Sequence, residues 1–201
     1  MKLALSLGLS LLAATLAASP ASAAGNAANG KKLAESCGGC HGEDGNSSTP
    51  IFPKLAGQQP AYLAKQLYDF KSAKRNEPTM TAMAAPLSDA DIADLSAYYA
   101  EQKVKPESVP ANERGKNLFH TGEARTGLPA CSGCHGPEAQ GNDPAAFPAL
   151  RGQHSAYLTK TLHDFKTKAR YNDHNEMMRS IAARLSDDEM AALSDYLAGL
   201  R

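Results

Sequence analysis

The sequence is short of the features that mark several common classes of protein. It contains no tryptophan, and its 21 Lys and Arg residues are matched by 21 Asp and Glu residues, which gives a formal net charge of +0. Because positive charge is not in excess, there is no basic field to bind nucleic acid. Alternating apolar and polar residues, which are typical of half-buried strands, are also missing. The chain therefore favours an all-α fold.

Long apolar runs are missing too, except at the N-terminus. Lys2 precedes an uncharged stretch, 3–18, that is dominated by Leu and Ala, and the small residues Ala21, Ser22 and Ala23 follow. This order is typical of a secretory signal peptide that is cleaved after Ala23. An uncleaved membrane anchor is the alternative, but the run is short for a span of about 20 residues. We therefore predict a signal peptide and export.

Cysteine is scarce, and its spacing is specific. The chain has 4 cysteines in 2 Cys-x-x-Cys pairs, and a histidine directly follows each pair, in Cys37-x-x-Cys40-His41 and Cys131-x-x-Cys134-His135. Disulfides or a structural zinc site would use such pairs, but neither requires the adjacent histidine. Cys-x-x-Cys-His is the attachment motif of c-type haem, in which the thiols form thioethers and the histidine binds the iron. The motifs predict two haem c groups.

An internal repeat surrounds these motifs. Each is followed by a Phe-Pro-x-Leu-x-Gly-Gln string, at 52–58 and 147–153, and later by matching segments at 61–71 and 156–166 and at 87–100 and 185–198. A period of this kind predicts two homologous domains. We assign 1–23 to the signal peptide, 24–102 to an N-terminal cytochrome c domain, 103–112 to a linker and 113–201 to a C-terminal cytochrome c domain.

Helix signals recur in both copies. Ser88 with Asp91, and Ser186 with Glu189, are capping-box pairs that precede apolar residues at helical spacing. Pro60 suits the first turn of a helix expected over the repeated segment 61–71. A further helix is expected to run from about Asn26 or Asn112 into each first cysteine. Domains this small bury little surface, so the haem is expected to supply much of each core.

The repeat also selects a second axial ligand for each iron. Met80 lies seven residues before Leu87, and Met178 lies seven residues before Leu185, whereas Met83 and Met177 align with residues that do not bind iron. A Met thioether favours Fe(II) and is typical of electron-transfer haems. We predict His41 and Met80 as axial ligands of one iron and His135 and Met178 as those of the other. His174 is a competing ligand in the second domain.

Surrounding residues have expected roles as well. Each axial histidine is expected to donate its other N–H to a backbone carbonyl, with Pro53 and Pro148 nearby. Gly57 and Gly152 are expected to allow close approach to a porphyrin edge. Hydrogen bonds to the haem propionates are expected from the side chains of Gln58, Gln153, Tyr62 or Tyr157. His120, His154 and His163 are interpreted as surface or pocket-edge residues.

Taken together, the tandem Cys-x-x-Cys-His motifs, the Phe-Pro-x-Leu-x-Gly-Gln strings and the late methionines resemble the cytochrome c4 family. The resemblance implies two tandem cytochrome c-like helical domains, each wrapped around one covalently bound haem c and related by an approximate two-fold axis. It also implies a periplasmic one-electron carrier in a respiratory chain, with no catalytic residues. Its expected partners are an upstream electron donor and a terminal oxidase, and it is expected to associate peripherally with the cytoplasmic membrane.

Two enzyme-linked alternatives stay open. A cytochrome subunit of a dehydrogenase would depend on a partner chain. A dihaem peroxidase would need one haem with an open or displaceable ligand beside acid and base groups. His174 and Glu176 lie near Met178 in the sequence and are the acid and base groups that a peroxidase would use there.

Overall fold

The computed structural model describes residues 25–201, so the predicted signal peptide at 1–23 lies outside the described residues. The N-terminal domain contains α1 (Ala27–Leu33), α2 (Gly38–His41), α3 (Pro60–Lys71), α4 (Pro78–Ala84) and α5 (Asp89–Glu101). The C-terminal domain contains α6 (Glu113–Thr121), α7 (Ser132–His135), α8 (Ser155–Lys166), α9 (Met177–Ala182) and α10 (Asp187–Gly199). Short 3-10 turns occupy Ala34–Ser36 and His174–Glu176.

The all-α prediction is confirmed. Between residues 25 and 201, β-type pairing is limited to two isolated antiparallel bridges, Glu123 with Leu128 and Asn142 with Phe147. Over the same range, none of the helices combines the length and the apolarity that a membrane span requires.

Helix starts follow the local signals in the sequence. The Ser88 hydroxyl accepts a hydrogen bond from the Asp91 backbone N–H, and the Asp91 carboxylate accepts one from the Ser88 N–H. Ser186 and Glu189 form the same reciprocal pair at the start of α10. Both predicted capping boxes are therefore confirmed, and they satisfy backbone donors that a helix N-terminus leaves free.

The predicted helix into the first cysteine forms in one domain only. In the N-terminal domain, α1 continues through the 3-10 turn to Cys37. In the C-terminal domain the prediction is wrong, because α6 ends at Thr121 and Gly122 turns the chain with a φ of 70°. The extra residues of this copy form a loop closed by the Glu123–Leu128 bridge. Glycine adopts such a φ at no steric cost.

A glycine sets the closest helix crossing in each domain. Helix α1 packs on α5, and α6 packs on α10. A Cβ at Gly30 would lie 2.0 Å from the Asp94 carbonyl oxygen, and a Cβ at Gly115 would lie 1.9 Å from that of Ala192. The backbones therefore touch at these points. Helices α4 and α9, which carry Met80 and Met178, pack on α3 and α8 respectively.

The two domains meet through the repeated Phe-Pro-x-Leu-x-Gly-Gln strings, and we call this contact the domain seam. The Gln58 side chain accepts a hydrogen bond from Ala149 N (2.7 Å) and donates one to Ala149 O (3.0 Å). Gln153 does the same to Lys54, at 2.8 Å to its N and 2.9 Å to its O. The two clamps occupy equivalent positions in the repeat, so the seam has an approximate two-fold pattern.

Two arginines extend that pattern. Arg75 donates to the Tyr157 hydroxyl at 2.9 Å, and Arg170 donates to the Tyr62 hydroxyl at 3.0 Å. Each guanidinium thus reaches the tyrosine of the other domain.

Candidate haem sites

Each Cys-x-x-Cys-His motif forms one short helical turn. Helices α2 and α7 end at the histidine, and Gly42 and Gly136 follow with φ values of 80° and 80°. The first cysteine of each motif precedes the turn as its N-cap residue. One turn brings both cysteines and the histidine of a motif together, as attachment to a single porphyrin requires.

The four thiols are available for thioether bonds. All four cysteines are free, and in each motif the first is half-buried and the second is exposed. Burial raises the pKa of the Cys131 thiol to about 11, so this group is neutral before attachment. The alternative of paired disulfides finds no support among residues 25–201.

The two histidines are buried and held in a ligand-ready orientation. Nδ1 of His41 lies 2.8 Å from the Pro53 carbonyl oxygen, and Nδ1 of His135 lies 2.9 Å from that of Pro148. A carbonyl only accepts, so Nδ1 carries the proton and Nε2 keeps its lone pair. Burial lowers the pKa of both imidazoles, and the hydrogen bonds only partly oppose it, so both rings are neutral at pH 7. The expected N–H to carbonyl bond is confirmed in both domains.

The methionines differ in their surroundings. Met80 lies half-buried on α4, and its backbone N–H donates to the Glu77 carboxylate at 2.7 Å. Met178 and its neighbour Met177 are both half-buried at the start of α9. Met190 is fully buried in the core, whereas Met83 is 39% exposed.

The entry to α9 is unlike the entry to α4. Asn175 and Glu176, just before Met177, have φ values of 47° and 58°. Residues other than glycine seldom adopt such values, and each costs free energy. His174 lies exposed in this turn, where its Nε2 contacts the Asn175 side chain.

Each domain therefore offers the groups that attachment and ligation of one haem c need. These are two thiols that are not in disulfides, one neutral buried imidazole with Nε2 free of the carbonyl bond, and a methionine on a neighbouring helix.

The family model of cytochrome c matches residues 27–102 and 112–201. The chain is 46% identical over 201 residues to cytochrome c4 of Pseudomonas aeruginosa, which covers 98% of this chain and 96% of that protein. It is 51% identical over 176 residues to cytochrome c4 of Thiocapsa roseopersicina, covering 86% and 88% respectively.

The chain belongs to the cytochrome c4 family. The crystal structure of reduced recombinant cytochrome c4 from Pseudomonas stutzeri superposes with a TM-score of 0.85 at 45% identity, covering 89% of this chain and 100% of that one. Like other cytochrome c4 proteins, this one is a dihaem c-type electron carrier that works with redox partners. A more distant relative, the thiosulfate dehydrogenase electron acceptor of Thiomonas intermedia, is 38% identical over 171 residues, covering 82% of this chain and 78% of that protein.

Several residues of this cytochrome c4 have contacts other than those expected from the sequence. The amides of Gln58 and Gln153 are engaged by backbone of the opposite domain, so the expectation that they bind propionates is replaced by a seam contact. Gly57 and Gly152 lie against Val104 of the linker: a Cβ would lie 3.7 Å from Val104 N at Gly57 and 2.9 Å from Val104 Cγ2 at Gly152.

His154 and Lys54 are both buried, which the sequence did not predict. His154 was interpreted as a surface or pocket-edge residue, and that is wrong, since it is only 4% exposed. Its ring bridges Glu107 of the linker and the Ser47 carbonyl of the other domain. Lys54 is buried as well, and its ammonium donates to the Gly152 carbonyl at 2.9 Å. No local pattern marks either residue, because their partners are 47 to 107 positions away.

Proposed function

We propose that this protein is a periplasmic one-electron carrier of a respiratory chain that passes electrons toward a terminal oxidase. In this proposal Cys37, Cys40, Cys131 and Cys134 hold two haems by thioether bonds. The axial iron ligands are His41 and Met80 in domain 24–102, and His135 and Met178 in domain 113–201, with 103–112 as the linker. The protein transfers electrons without converting a substrate itself.

The observation that carries the proposal is the duplicated histidine geometry. Both imidazoles are buried, neutral and fixed through Nδ1, so both present Nε2 in the same way. Two sites of the same design favour electron transfer between like centres over a division into one catalytic and one auxiliary haem. The matched positions of Met80 and Met178 in the repeat support the same view.

The chain contributes position and environment rather than reaction chemistry. Haem iron, when bound, supplies the Fe(III)/Fe(II) couple. The Pro53 and Pro148 carbonyls orient the axial imidazoles and raise their basicity through the Nδ1–H bond. A thioether from Met80 or Met178 would favour the reduced state of a bound haem, and the burial of His41 and His135 would keep bulk water from the imidazoles.

Optical spectra of the purified oxidised protein test this assignment. Two low-spin haems, each with the weak methionine-to-iron charge-transfer band, are expected. A high-spin haem, or bis-histidine ligation involving His174, would contradict the axial pairs. Peroxide turnover at enzymatic rates would contradict the carrier function.

The upstream electron donor has two candidate classes, a quinol-oxidising complex of the respiratory chain and a dehydrogenase. The similarity to a thiosulfate dehydrogenase electron acceptor favours a dehydrogenase as the upstream partner. Stopped-flow reduction by a thiosulfate dehydrogenase, compared with reduction by a quinol-oxidising complex, separates the two sources. Rapid reduction by the thiosulfate enzyme alone would replace the respiratory assignment of the donor.

Cell fractionation tests the location. Export by residues 1–23 places the mature chain in the periplasm, with peripheral attachment to the cytoplasmic membrane. We expect the protein in the periplasmic fraction and in the salt wash of isolated membranes. Its presence in the cytoplasmic fraction alone would contradict the proposal.

A further inference from the structure

One peptide unit in the N-terminal domain is bonded on both sides. The carbonyl of Pro53 accepts the Nδ1–H of His41 at 2.8 Å. The N–H of the same peptide belongs to Lys54, and it donates to the side-chain oxygen of Gln153, in the other domain, at 2.8 Å. The axial histidine of one domain is therefore connected to a glutamine of the other through a single peptide group.

The C-terminal domain has the same arrangement with the roles of the two domains exchanged. The carbonyl of Pro148 accepts the Nδ1–H of His135 at 2.9 Å, and the N–H of Ala149 donates to the Gln58 side-chain oxygen at 2.7 Å. The histidine, the alanine and the glutamine are all buried, at 7%, 8% and 7% exposure, so bulk water does not compete for these bonds.

We propose that Gln58 and Gln153 are positioning residues that tune the haem of the opposite domain. Gln153 acts on the His41 haem through the Pro53–Lys54 peptide, and Gln58 acts on the His135 haem through the Pro148–Ala149 peptide. The inference rests on the part of the proposed function that makes His41 and His135 iron ligands; it does not depend on the methionines.

The direction of the effect follows from hydrogen-bond cooperativity. An acceptor on a peptide N–H polarises that peptide and makes its carbonyl a stronger acceptor. A stronger acceptor draws the Nδ1 proton and makes the imidazole a better donor to iron, which stabilises Fe(III) and lowers the reduction potential. Removal of the glutamine amide weakens the chain of bonds, so the potential of the opposite haem rises.

The test replaces each glutamine in the full holoprotein. Gln153→Leu is expected to raise the potential of the N-terminal haem and leave the C-terminal one unchanged, and Gln58→Leu is expected to do the opposite. Redox titration followed by NMR of the haem methyl groups, assigned through contacts to each domain, measures the two potentials separately. The histidine Nδ1–H resonance of the affected domain should move upfield, as expected for a weaker bond.

Gln59→Leu is the matched control. The Gln59 amide also crosses the seam, to the Gln140 carbonyl, but it does not touch either peptide that bonds an axial histidine. Its replacement should leave both potentials unchanged. If a Leu variant does not fold, Gln153→Met or Gln58→Met keeps the side-chain length and has only a weak acceptor.

Three results would overturn the inference: a shift of the haem in the mutated domain itself, equal shifts in both haems, or no shift in either. Failure of the methionine assignment would show instead in the charge-transfer bands of the unmodified protein. The two failures are therefore distinguishable.

Discussion

At the scale of single residues, Gln59 and His154 occupy matched positions on the two sides of the seam but make different contacts. Gln59 reaches the Gln140 carbonyl, and its counterpart His154 reaches the Ser47 carbonyl through Nε2 at 2.9 Å. Only the histidine also meets a carboxylate, with Nδ1 lying 2.6 Å from Glu107 Oε1. Both ring nitrogens therefore face acceptors. One substitution in the repeat thus adds a histidine–carboxylate contact that holds the linker to both domains.

Glu107→Gln tests the contact between His154 and Glu107 through the pH dependence of stability. Burial alone would raise the pKa of Glu107, but the hydrogen bonds from His154 and Ser155 and the charges of His154 and Lys54 outweigh it, so the pKa is lowered. A lowered carboxyl pKa adds stability above its ordinary value of 4.5, and that stability is lost as the pH falls through the folded-state value. Thermal melting should show a lower midpoint for the variant at pH 7 and a shrinking difference on acidification. The exposed Glu101→Gln is the control; a constant difference across pH would contradict the stabilisation of the Glu107 carboxylate.

Met80→His and Met178→His test the axial ligands. Replacing sulfur with nitrogen stabilises Fe(III), so each variant should lower one potential only, within the range of about 0.8 V that axial ligands span. Redox titration with the charge-transfer band as a second readout measures the effect. Met83→His, on the exposed side of α4, should leave both potentials and both bands intact. Unchanged potentials in Met80→His or Met178→His would show that the wrong methionine was chosen.

At the scale of the helix, backbone contact at a glycine fixes how each domain closes. Gly30 and Gly115 occupy equivalent places in α1 and α6, and each lies against a carbonyl of the last helix of its domain. Together with the capping boxes at Ser88 and Ser186, they define where α5 and α10 begin and how the first helices cross them. Helix propensity would favour alanine at both glycines, so tertiary packing overrides it.

Gly115→Ala should destabilise the C-terminal domain. The new Cβ would lie 1.9 Å from the Ala192 carbonyl oxygen, and α6 would have to move away from α10. Overpacking of this kind costs about 1–3 kcal/mol of unfolding free energy. Denaturant unfolding measures it, with Asn117→Ala as the control, because Asn117 lies exposed on the same helix and outside the haem attachment motif. Equal stability of the two variants would contradict the close crossing.

At the scale of the whole molecule, the protein portion of each core is small. The N-terminal core cluster consists of five buried residues, Ala34, Leu63, Leu95, Tyr98 and Tyr99. The C-terminal cluster is larger, with nine: Leu118, Phe119, Leu128, Ala139, Leu158, Leu185, Met190, Leu193 and Leu197. Small domains bury a smaller share of their surface on folding, so a covalently bound haem would add a substantial part of each core.

Loss of the haems should therefore unfold the N-terminal domain first. In a chain with Cys37, Cys40, Cys131 and Cys134 all replaced by alanine, far-UV circular dichroism should show reduced helicity. Its thermal transition should be broad. Attachment at 131–135 alone should retain more helicity than attachment at 37–41 alone, because the C-terminal cluster is larger. Native helicity with a cooperative melt in the haem-free chain would contradict this.

Much of the fold could be predicted because its signals are local. Capping boxes, the proline at the start of α3 and the apolar face of α5 are each contained within one helix, and all three are present. The helix expected to run into Cys131 was not predictable in the same way. An insertion places a loop between α6 and the cysteine, and Gly122 ends the helix with a φ of 70°.

The sequence by itself determined that the chain is a repeat and where its two Cys-x-x-Cys-His motifs lie, because these depend on spacings of a few residues. Tertiary structure alone decided the roles of Gln58, Gln153, Lys54 and His154. Their partners lie 47 to 107 positions away and belong to the other domain or the linker. The repeated Pro-x-Leu-x-Gly-Gln string serves both levels. Its proline carbonyl accepts a hydrogen bond from the histidine of its own domain. Its glutamine bonds the backbone of the other domain, and this second contact exists only because the two domains pack together.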